Sequence, residues 1–397
     1  MPVDIYIGPR KPLFPWWAGC VVLVVAMLIG GYLGVLFFAS RGLYLVQMIP
    51  LPESLAPSPT PSPTPTETAS SHFQKAEAFY ADGQLESAVA EYQMTVTLEP
   101  NNDVAYARMA KPLILLRRYN DAVNAGRRAV EINGQSAENL VALAEALDWH
   151  GDYTEAVDLA NRAIEIKPQY ALAYAIGAEI YADLARPDKA VPMAQKAVQL
   201  DDNSIDAHRN LAYAYESRGS YKTATPEYQR AVQLGPKYGY LYIGLARNYR
   251  VLGNYKDAIA TMQQAVKVDP KNSQVYDELG WTYALSGDMA HAIPTLEQAI
   301  KLDPEYEAPY GHIAHVYFVQ QDWEDTVSNL EKAMQLGGGR LEYYYKLGLA
   351  YVNLKDCSKG KQWIDKAVQI DAQDQAVQGA VTWYQQHCES AAPTPQK

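Results

Sequence analysis

Residues 205–238, IDAHRNLAYAYESRGSYKTATPEYQRAVQLGPKY, are followed by residues 239–272, GYLYIGLARNYRVLGNYKDAIATMQQAVKVDPKN, and the two stretches share one pattern of small and large side chains. Counted from the first residue of each stretch, positions 8, 20 and 27 are alanine, position 11 is tyrosine and position 15 is glycine. A fixed period of this kind predicts a stack of similar structural units.

The pattern continues in both directions without an insertion or a deletion, and it forms nine units between residues 69 and 374. Position 8 is alanine or glycine in every unit, and position 20 is alanine except for Thr326 and Gly360. Position 27 is alanine except for Thr95, and position 11 is always a large side chain. Small residues at fixed points let two helices approach closely, and the large residue fills the remaining gap.

Each half of a unit has apolar residues at the helical spacing i, i+3, i+4 and i+7, so every unit is predicted to contain two amphipathic helices. Glycine at position 15 ends the first helix in five units, and proline at position 32 begins the next connection in five. Lys355 replaces the turn glycine in unit 9. Four units lack the proline and have these residues instead: Gly134, Asp202, Gly338 and Ala372.

The period and its small and large positions resemble the tetratricopeptide-repeat (TPR) family over residues 69–374. The resemblance implies an all-α fold, a right-handed α-solenoid of nine helix-turn-helix repeats. Residues 375–389 read as a further amphipathic helix that caps the last repeat, because an end repeat needs a polar outer face. Residues 390–397 are expected to be a disordered tail. TPR arrays bind other proteins or peptides, so we expect a protein-binding scaffold.

An uncharged apolar stretch, residues 16–38, precedes the repeats. As a helix it would be about 34 Å long, enough to cross a hydrocarbon core of about 30 Å. The apolar region of a cleavable signal peptide is shorter, so we predict an uncleaved transmembrane helix at residues 16–40. Gly30 and Gly34 have the spacing that allows two membrane helices to pair, which would give a weak homodimer contact.

Residues 41–68 separate the predicted membrane helix from the repeats. Proline occupies alternate positions from Pro57 to Pro65, which excludes helix and sheet and favours polyproline II. The segment is therefore expected to hold the array away from the bilayer. Ser/Thr/Pro tracts of this kind occur on exported stalks that carry O-glycans, and an unmodified disordered spacer is the alternative.

The orientation in the membrane is predicted from the flanking charges. Arg10 and Lys11 precede the apolar stretch and Arg41 follows it, so residues 1–15 are expected in the cytoplasm and the array outside the cytoplasmic (inner) membrane. An extracytoplasmic scaffold could recruit or stabilise an envelope complex as an accessory subunit. A cytoplasm-facing adaptor in signalling or chaperone recruitment is the alternative.

Two cysteines support the first orientation. Cys357 lies at the turn of repeat 9, and Cys388 lies near the end of the capping helix. First helices of neighbouring TPR repeats run nearly parallel, so the resemblance places both cysteines at one end of the stack and predicts a disulfide between them. A disulfide would indicate an oxidising compartment.

No catalytic function is expected. The repeats and the cap occupy residues 69–389, and no P-loop, GxGxxG, HExxH or GxSxG motif occurs. The formal net charge of -11 argues against nucleic acid as a partner, because phosphate binding needs a basic face. His312 and His315 could share a metal ion, but no cysteine or acidic residue lies beside them at ligand spacing. We therefore predict no metal site and no cofactor.

By resemblance, the first helix of each repeat lines the concave face, with positions 5, 6, 9 and 12 pointing into it. Aromatic and arginine side chains there are typical of protein interfaces, and Arg247 with Arg250 could hold a carboxylate. An ordinary solvated surface with ion pairs between neighbouring repeats is the alternative. The predicted groove in repeats 5–8 consists of Arg209, Asn210, Tyr213, Arg247, Arg250, Asp277, Trp281, His312, His315 and Phe318.

Overall fold

The structure is a computed structural model that describes residues 67–389. Several predictions fall outside these residues, namely the cytoplasmic segment, the membrane helix with Gly30 and Gly34, nearly all of the linker, and the C-terminal tail. Between residues 67 and 389, no helix combines the length and the apolar character that crossing a bilayer requires. All described residues belong to one compact unit.

The described residues form nineteen α-helices and one short π-helix, Gln385–Glu389, with no strand among them. In chain order the α-helices are α1 (Ala69–Ala81), α2 (Leu85–Leu98), α3 (Asp103–Leu115), α4 (Tyr119–Ile132), α5 (Ala137–His150), α6 (Tyr153–Ile166), α7 (Ala171–Asp183), α8 (Pro187–Leu200), α9 (Ile205–Ser217), α10 (Tyr221–Leu234), α11 (Gly239–Val251), α12 (Tyr255–Val268), α13 (Ser273–Leu285), α14 (Met289–Leu302), α15 (Glu307–Gln320), α16 (Trp323–Gln335), α17 (Leu341–Asn353), α18 (Cys357–Ile370) and α19 (Gln375–Tyr384).

Each predicted 34-residue unit contains one pair of helices, from α1 and α2 in unit 1 to α17 and α18 in unit 9. The two helices of a pair pack against each other, and the first helix of each unit packs against the pair before it. The predicted all-α solenoid of helix-turn-helix units is therefore confirmed for the described residues. The predicted capping helix also forms, although its last residues adopt the π-helix.

The small residues allow close packing, as the sequence predicted. The alanines at position 8, such as Ala76 and Ala212, are fully buried between helices. Gly244 lies against the ring of Tyr228, and a Cβ atom there would be 2.7 Å from Cε1 of that ring. Since interiors are close-packed, larger residues at these points would push the helices apart.

The turn inside every unit uses a left-handed residue at position 15. Five of the nine are glycines, and the other four have φ angles between 54° and 66°: Arg117, Ala185, Gln321 and Lys355. Left-handed backbone is unfavourable for residues with a Cβ atom. The turn of unit 9 still has the same geometry as the others, since Lys355 adopts a φ of 66° in place of glycine.

Contacts between units far apart in the chain close the first turn of the solenoid. The Nζ atom of Lys237 lies 2.6 Å from Oδ1 of Asp82, and the rings of Tyr80 and Tyr238 are 5.7 Å apart. These contacts join unit 1 to the end of unit 5. They show that the array curves back on its own first units, so the inner face is enclosed across the axis.

The C-terminal cap is joined to the last unit by the disulfide that the sequence predicted. Cys357 begins α18, Cys388 lies in the π-helix, and their Cα atoms are 5.7 Å apart. Val377 and Ala380 of α19 are buried against unit 9. The cap therefore covers the end of the core and is also linked to it covalently.

Candidate functional site

A cavity of about 420 Å³ lies on the inner face, where the first helices of successive units converge. Its walls come from units 2 to 7, and its lining is rich in charged and tyrosine side chains. One tyrosine, Tyr306, reaches it from the far end of unit 7.

Position 9 of successive first helices carries charged or aromatic side chains, and in units 2 to 6 all of them except Glu145 line the cavity. Lys111, Glu145 and Glu179 occupy this position in units 2, 3 and 4, and Tyr213 and Arg247 occupy it in units 5 and 6. The Lys111 ammonium group is paired with the Glu145 carboxylate. Neighbouring first helices run side by side, so equal positions of two units can meet in this way.

Three carboxyl groups come together in units 3 and 4. Asp148 is 3% exposed, Glu179 is 1% exposed, and Asp183 is exposed. Oε2 of Glu179 has no hydrogen-bond donor among the described residues. The carboxyl group of Asp148 hydrogen-bonds with that of Asp183. Burial, with the nearby charges of Glu179 and Asp183, raises the pKa of Asp148 to about 10. Asp148 is therefore protonated at neutral pH.

The neighbouring carboxyl group of Glu145 is also affected by burial. Burial raises the pKa of Glu145 to about 7, although the Lys111 ammonium beside it acts in the opposite direction. Asp183 accepts a hydrogen bond from the hydroxyl of Tyr213. The cavity therefore has an acidic side, formed by α5 and α7.

An exposed aromatic side chain borders the acidic side. Trp149 is 40% exposed although it lies on the inner face. Its ring stacks on that of Tyr119 with centroids 6.1 Å apart, and the guanidinium carbon of Arg209 lies 5.8 Å from the Trp149 ring centroid. A large exposed aromatic on a concave surface marks a place where a ligand could cover it.

The predicted groove residues divide into three sets in the structure. The first set, Arg209, Tyr213 and Arg247, lines the cavity. Arg209 donates to Glu179 at 2.8 Å and Arg247 pairs with Glu278 at 3.0 Å. These arginines are therefore already neutralised by the array.

The second set is used inside the array. Asn210 is fully buried and donates from Nδ2 to the carbonyl oxygen of Ala175 at 2.9 Å. Asp277 is 1% exposed and lies 2.7 Å from Nδ1 of His312. Arg250 has a mostly buried side chain that pairs with Glu278 at 2.8 Å. Asn210 and Asp277 are therefore not exposed in the groove, because their side chains lie between neighbouring first helices.

The third set forms an aromatic cluster in units 7 and 8. Trp281 stacks on His312 at 4.4 Å between ring centroids and meets His315 edge-on at 4.9 Å. Burial, with the charge of Lys346, lowers the pKa of His315 to about 4, so its ring is neutral. Phe318 packs edge-on against Trp323 at 5.5 Å. Trp281 is half-buried by these histidines.

The structure does not combine His312 and His315 into a metal site. Nδ1 of His312 faces Asp277, and Nδ1 of His315 lies 2.8 Å from the Lys346 ammonium. Within residues 67–389, no group of three or more His, Cys, Asp or Glu side chains is arranged to hold a metal ion.

The sequence prediction placed the groove in repeats 5–8 and so did not include the acidic side of the cavity. The signal was present in units 2–4. Glu145 and Glu179 stand at position 9 and Asp148 at position 12, which are the positions expected to face inwards. Carboxylates at inward positions of helices with otherwise apolar faces would have pointed to these units.

Paired helices stacked around an inner cavity define a helical-repeat solenoid protein. Three tetratricopeptide-repeat family models match the chain. They cover residues 217–277, residues 273–306 with 341–374, and residues 113–171 with 177–238. Together these segments include more than half of the sequence, and the chain belongs to the tetratricopeptide-repeat family. No curated protein matches the sequence.

Solved structures with the same fold include a chain of the APC/C hetero-tetramer Cut9-Hcn1, at 15% identity and a TM-score of 0.63. The match covers 81% of this chain but only 65% of that one. YrrB, described as a TPR protein with an unusual peptide-binding site, is 22% identical (TM-score 0.34, 47% of this chain and 97% of that one). PilF of Pseudomonas aeruginosa is 16% identical (TM-score 0.46, 54% and 98%). The first likeness shows the fold alone.

Proposed function

We propose that this protein is a non-enzymatic scaffold that binds a partner protein through the inner cavity of its TPR array. TPR repeats bind other proteins or peptides, which supports the class of function. The observation that carries the choice of site is Trp149, whose 40% exposed ring borders the cavity. Large aromatics of this kind supply much of the binding energy at protein interfaces.

The proposal includes an N-terminal membrane anchor at residues 16–40 and a proline-rich spacer up to residue 68. The uncharged apolar stretch and the alternating prolines support it. We place the array on the outer side of the cytoplasmic membrane, as an accessory subunit of an envelope complex. The disulfide between Cys357 and Cys388 supports this side, because structural disulfides persist in oxidising compartments.

Thiol labelling tests the orientation. Intact cells are reduced with a membrane-impermeant phosphine and then treated with an impermeant maleimide. An outward-facing array is labelled at Cys357 and Cys388 without lysis. Labelling only after lysis would support the alternative, a cytoplasm-facing adaptor in signalling or chaperone recruitment.

Two tryptophans of equal exposure test the binding site. Trp149 is 40% exposed at the cavity, and Trp383 is 39% exposed on the capping helix. Full-length protein is isolated from solubilised membranes as wild type, Trp149→Ala and Trp383→Ala. We expect partners of the wild type to be lost from Trp149→Ala and retained by Trp383→Ala. Equal recovery by both variants would reject the cavity as the binding site.

A further inference from the structure

The cationic residues of the cavity already have carboxylate partners within the array. Lys111 pairs with Asp206 at 3.0 Å in addition to Glu145. The arginines are paired as follows: Arg117 with Asp303 and Glu307, Arg209 with Glu179, and Arg247 with Glu278. In the part of the chain that the structure describes, no lysine, arginine or histidine forms an ion pair with Asp148 or Asp183. The acidic side of the cavity therefore has a surplus of carboxyl groups.

The acidic side also contains a buried hydrogen-bond acceptor that has no partner. Oε2 of Glu179 is buried without a donor among the described residues. Buried acceptors of this kind are rare, and leaving one unsatisfied is costly. Glu179 lines the cavity, so a ligand that brings an N–H donor could satisfy it. Its carboxylate and that of Asp183 are complementary in charge to an organic cation.

The exposed ring of Trp149 also favours a cationic ligand. The Arg209 guanidinium already lies 5.8 Å from the Trp149 ring centroid, so this ring accepts a cation in the array itself. An exposed tryptophan beside carboxyl groups can stack on a planar cation while the carboxyl groups accept its hydrogen bonds. Guanidinium fits this combination better than ammonium, since it is planar and donates in a fixed fork.

We propose that the acidic side of the cavity binds an arginine side chain of a partner protein, with Asp183 and Glu179 as acceptors and Trp149 as the stacking surface. The inference rests on the proposed function, because it names the chemistry by which the same cavity would recognise its partner. A lysine side chain is expected to bind more weakly. Asp183 is the exposed acceptor and makes the first contact.

Peptide pools test the proposal with the full-length protein. One pool has randomised uncharged positions around a central arginine, and a second pool has citrulline, which is neutral and nearly isosteric, in its place. We expect at least about tenfold greater retention of the arginine pool, because hydrogen bonds to charged groups are the stronger ones. The preference should disappear in Asp183→Asn and remain in Asp158→Asn, which changes an exposed aspartate of α6.

The outcomes separate this proposal from the proposed function. Equal retention of the two pools by wild type, with loss of both in Trp149→Ala, would overturn the arginine proposal and keep the cavity as a protein-binding site. Free arginine amide and spermidine serve as competitors. If either binds as tightly as the arginine peptides, the ligand is a small cation and the assignment to a partner protein fails. Circular dichroism melts confirm that the variants are folded.

Discussion

The guanidinium carbon of Arg117 lies 4.0 Å from the ring centroid of Tyr306, and the two residues belong to units 2 and 7. The same guanidinium pairs with Asp303 at 3.3 Å. The contact therefore combines a cation–π interaction with an ion pair across the axis of the array. Both residues line the cavity, so the contact closes part of the inner face.

Replacing Arg117 with alanine is expected to open the first turn. The variant loses contacts to both Tyr306 and Asp303, while each unit keeps its own core. Distances between spin labels in units 2 and 7 should increase and spread. The matched control is Arg118→Ala, because Arg118 pairs only locally with Asp121 at 2.6 Å. Unchanged distances in Arg117→Ala would show that the contact does not hold the turn closed.

The left-handed turn residues predict opposite effects for two substitutions. Ala185 has a φ of 54° and is exposed, so Ala185→Gly should raise the free energy of unfolding by about 1 kcal/mol. Gly253 has a φ of 74° with no atom within 4 Å of an added Cβ, so Gly253→Ala should lower it by about the same amount. Urea unfolding measures both. Changes of the same sign would refute the backbone explanation.

Asp148 predicts a pH-dependent effect on stability. Its folded-state pKa of about 10 is above the unfolded value of about 3.9. The contribution of Asp148 to the free energy of unfolding is therefore fully present at low pH and is lost as the pH rises towards 10. Asp148→Asn removes this loss. The variant should be more stable than wild type at pH 8 by at least about 1 kcal/mol, with a smaller difference at pH 5. A difference that shrinks as the pH rises would contradict the assignment; Asp158→Asn is the control.

Removing the disulfide is expected to change hydrogen exchange only near the C-terminal cap. Cys388→Ser should expose the amides of α19 and α18 to hydrogen exchange, because the cap loses a cross-link worth about 2–4 kcal/mol. Units 1 to 7 should keep their protection, because the described contacts across the axis join units 1 and 2 to units 5, 7 and 8 and do not involve the cap. Cys357→Ser should behave identically. Protection of α19 equal to that of wild type would show that burial of Val377 and Ala380 is sufficient.

The helix pairs could be predicted because their determinants are local. Alanine at position 8 and a large residue at position 11 act within one unit or between neighbours, so a 34-residue period reveals them. The meeting of Arg117 with Tyr306 depends on small rotations that add up over five units, and no pattern in the sequence reports their sum. Asn210 illustrates the same limit, because a one-position error on a helix moves a side chain from the groove to the interface between helices.

The proposed inner-face binding site is tested most directly by photo-crosslinking in native membranes. A photoreactive phenylalanine replaces Trp149 in one full-length variant and Trp383, of equal exposure on the cap, in another. Binding in the cavity predicts a discrete protein adduct from position 149 and none from position 383. An adduct from position 383 with none from position 149 would contradict it.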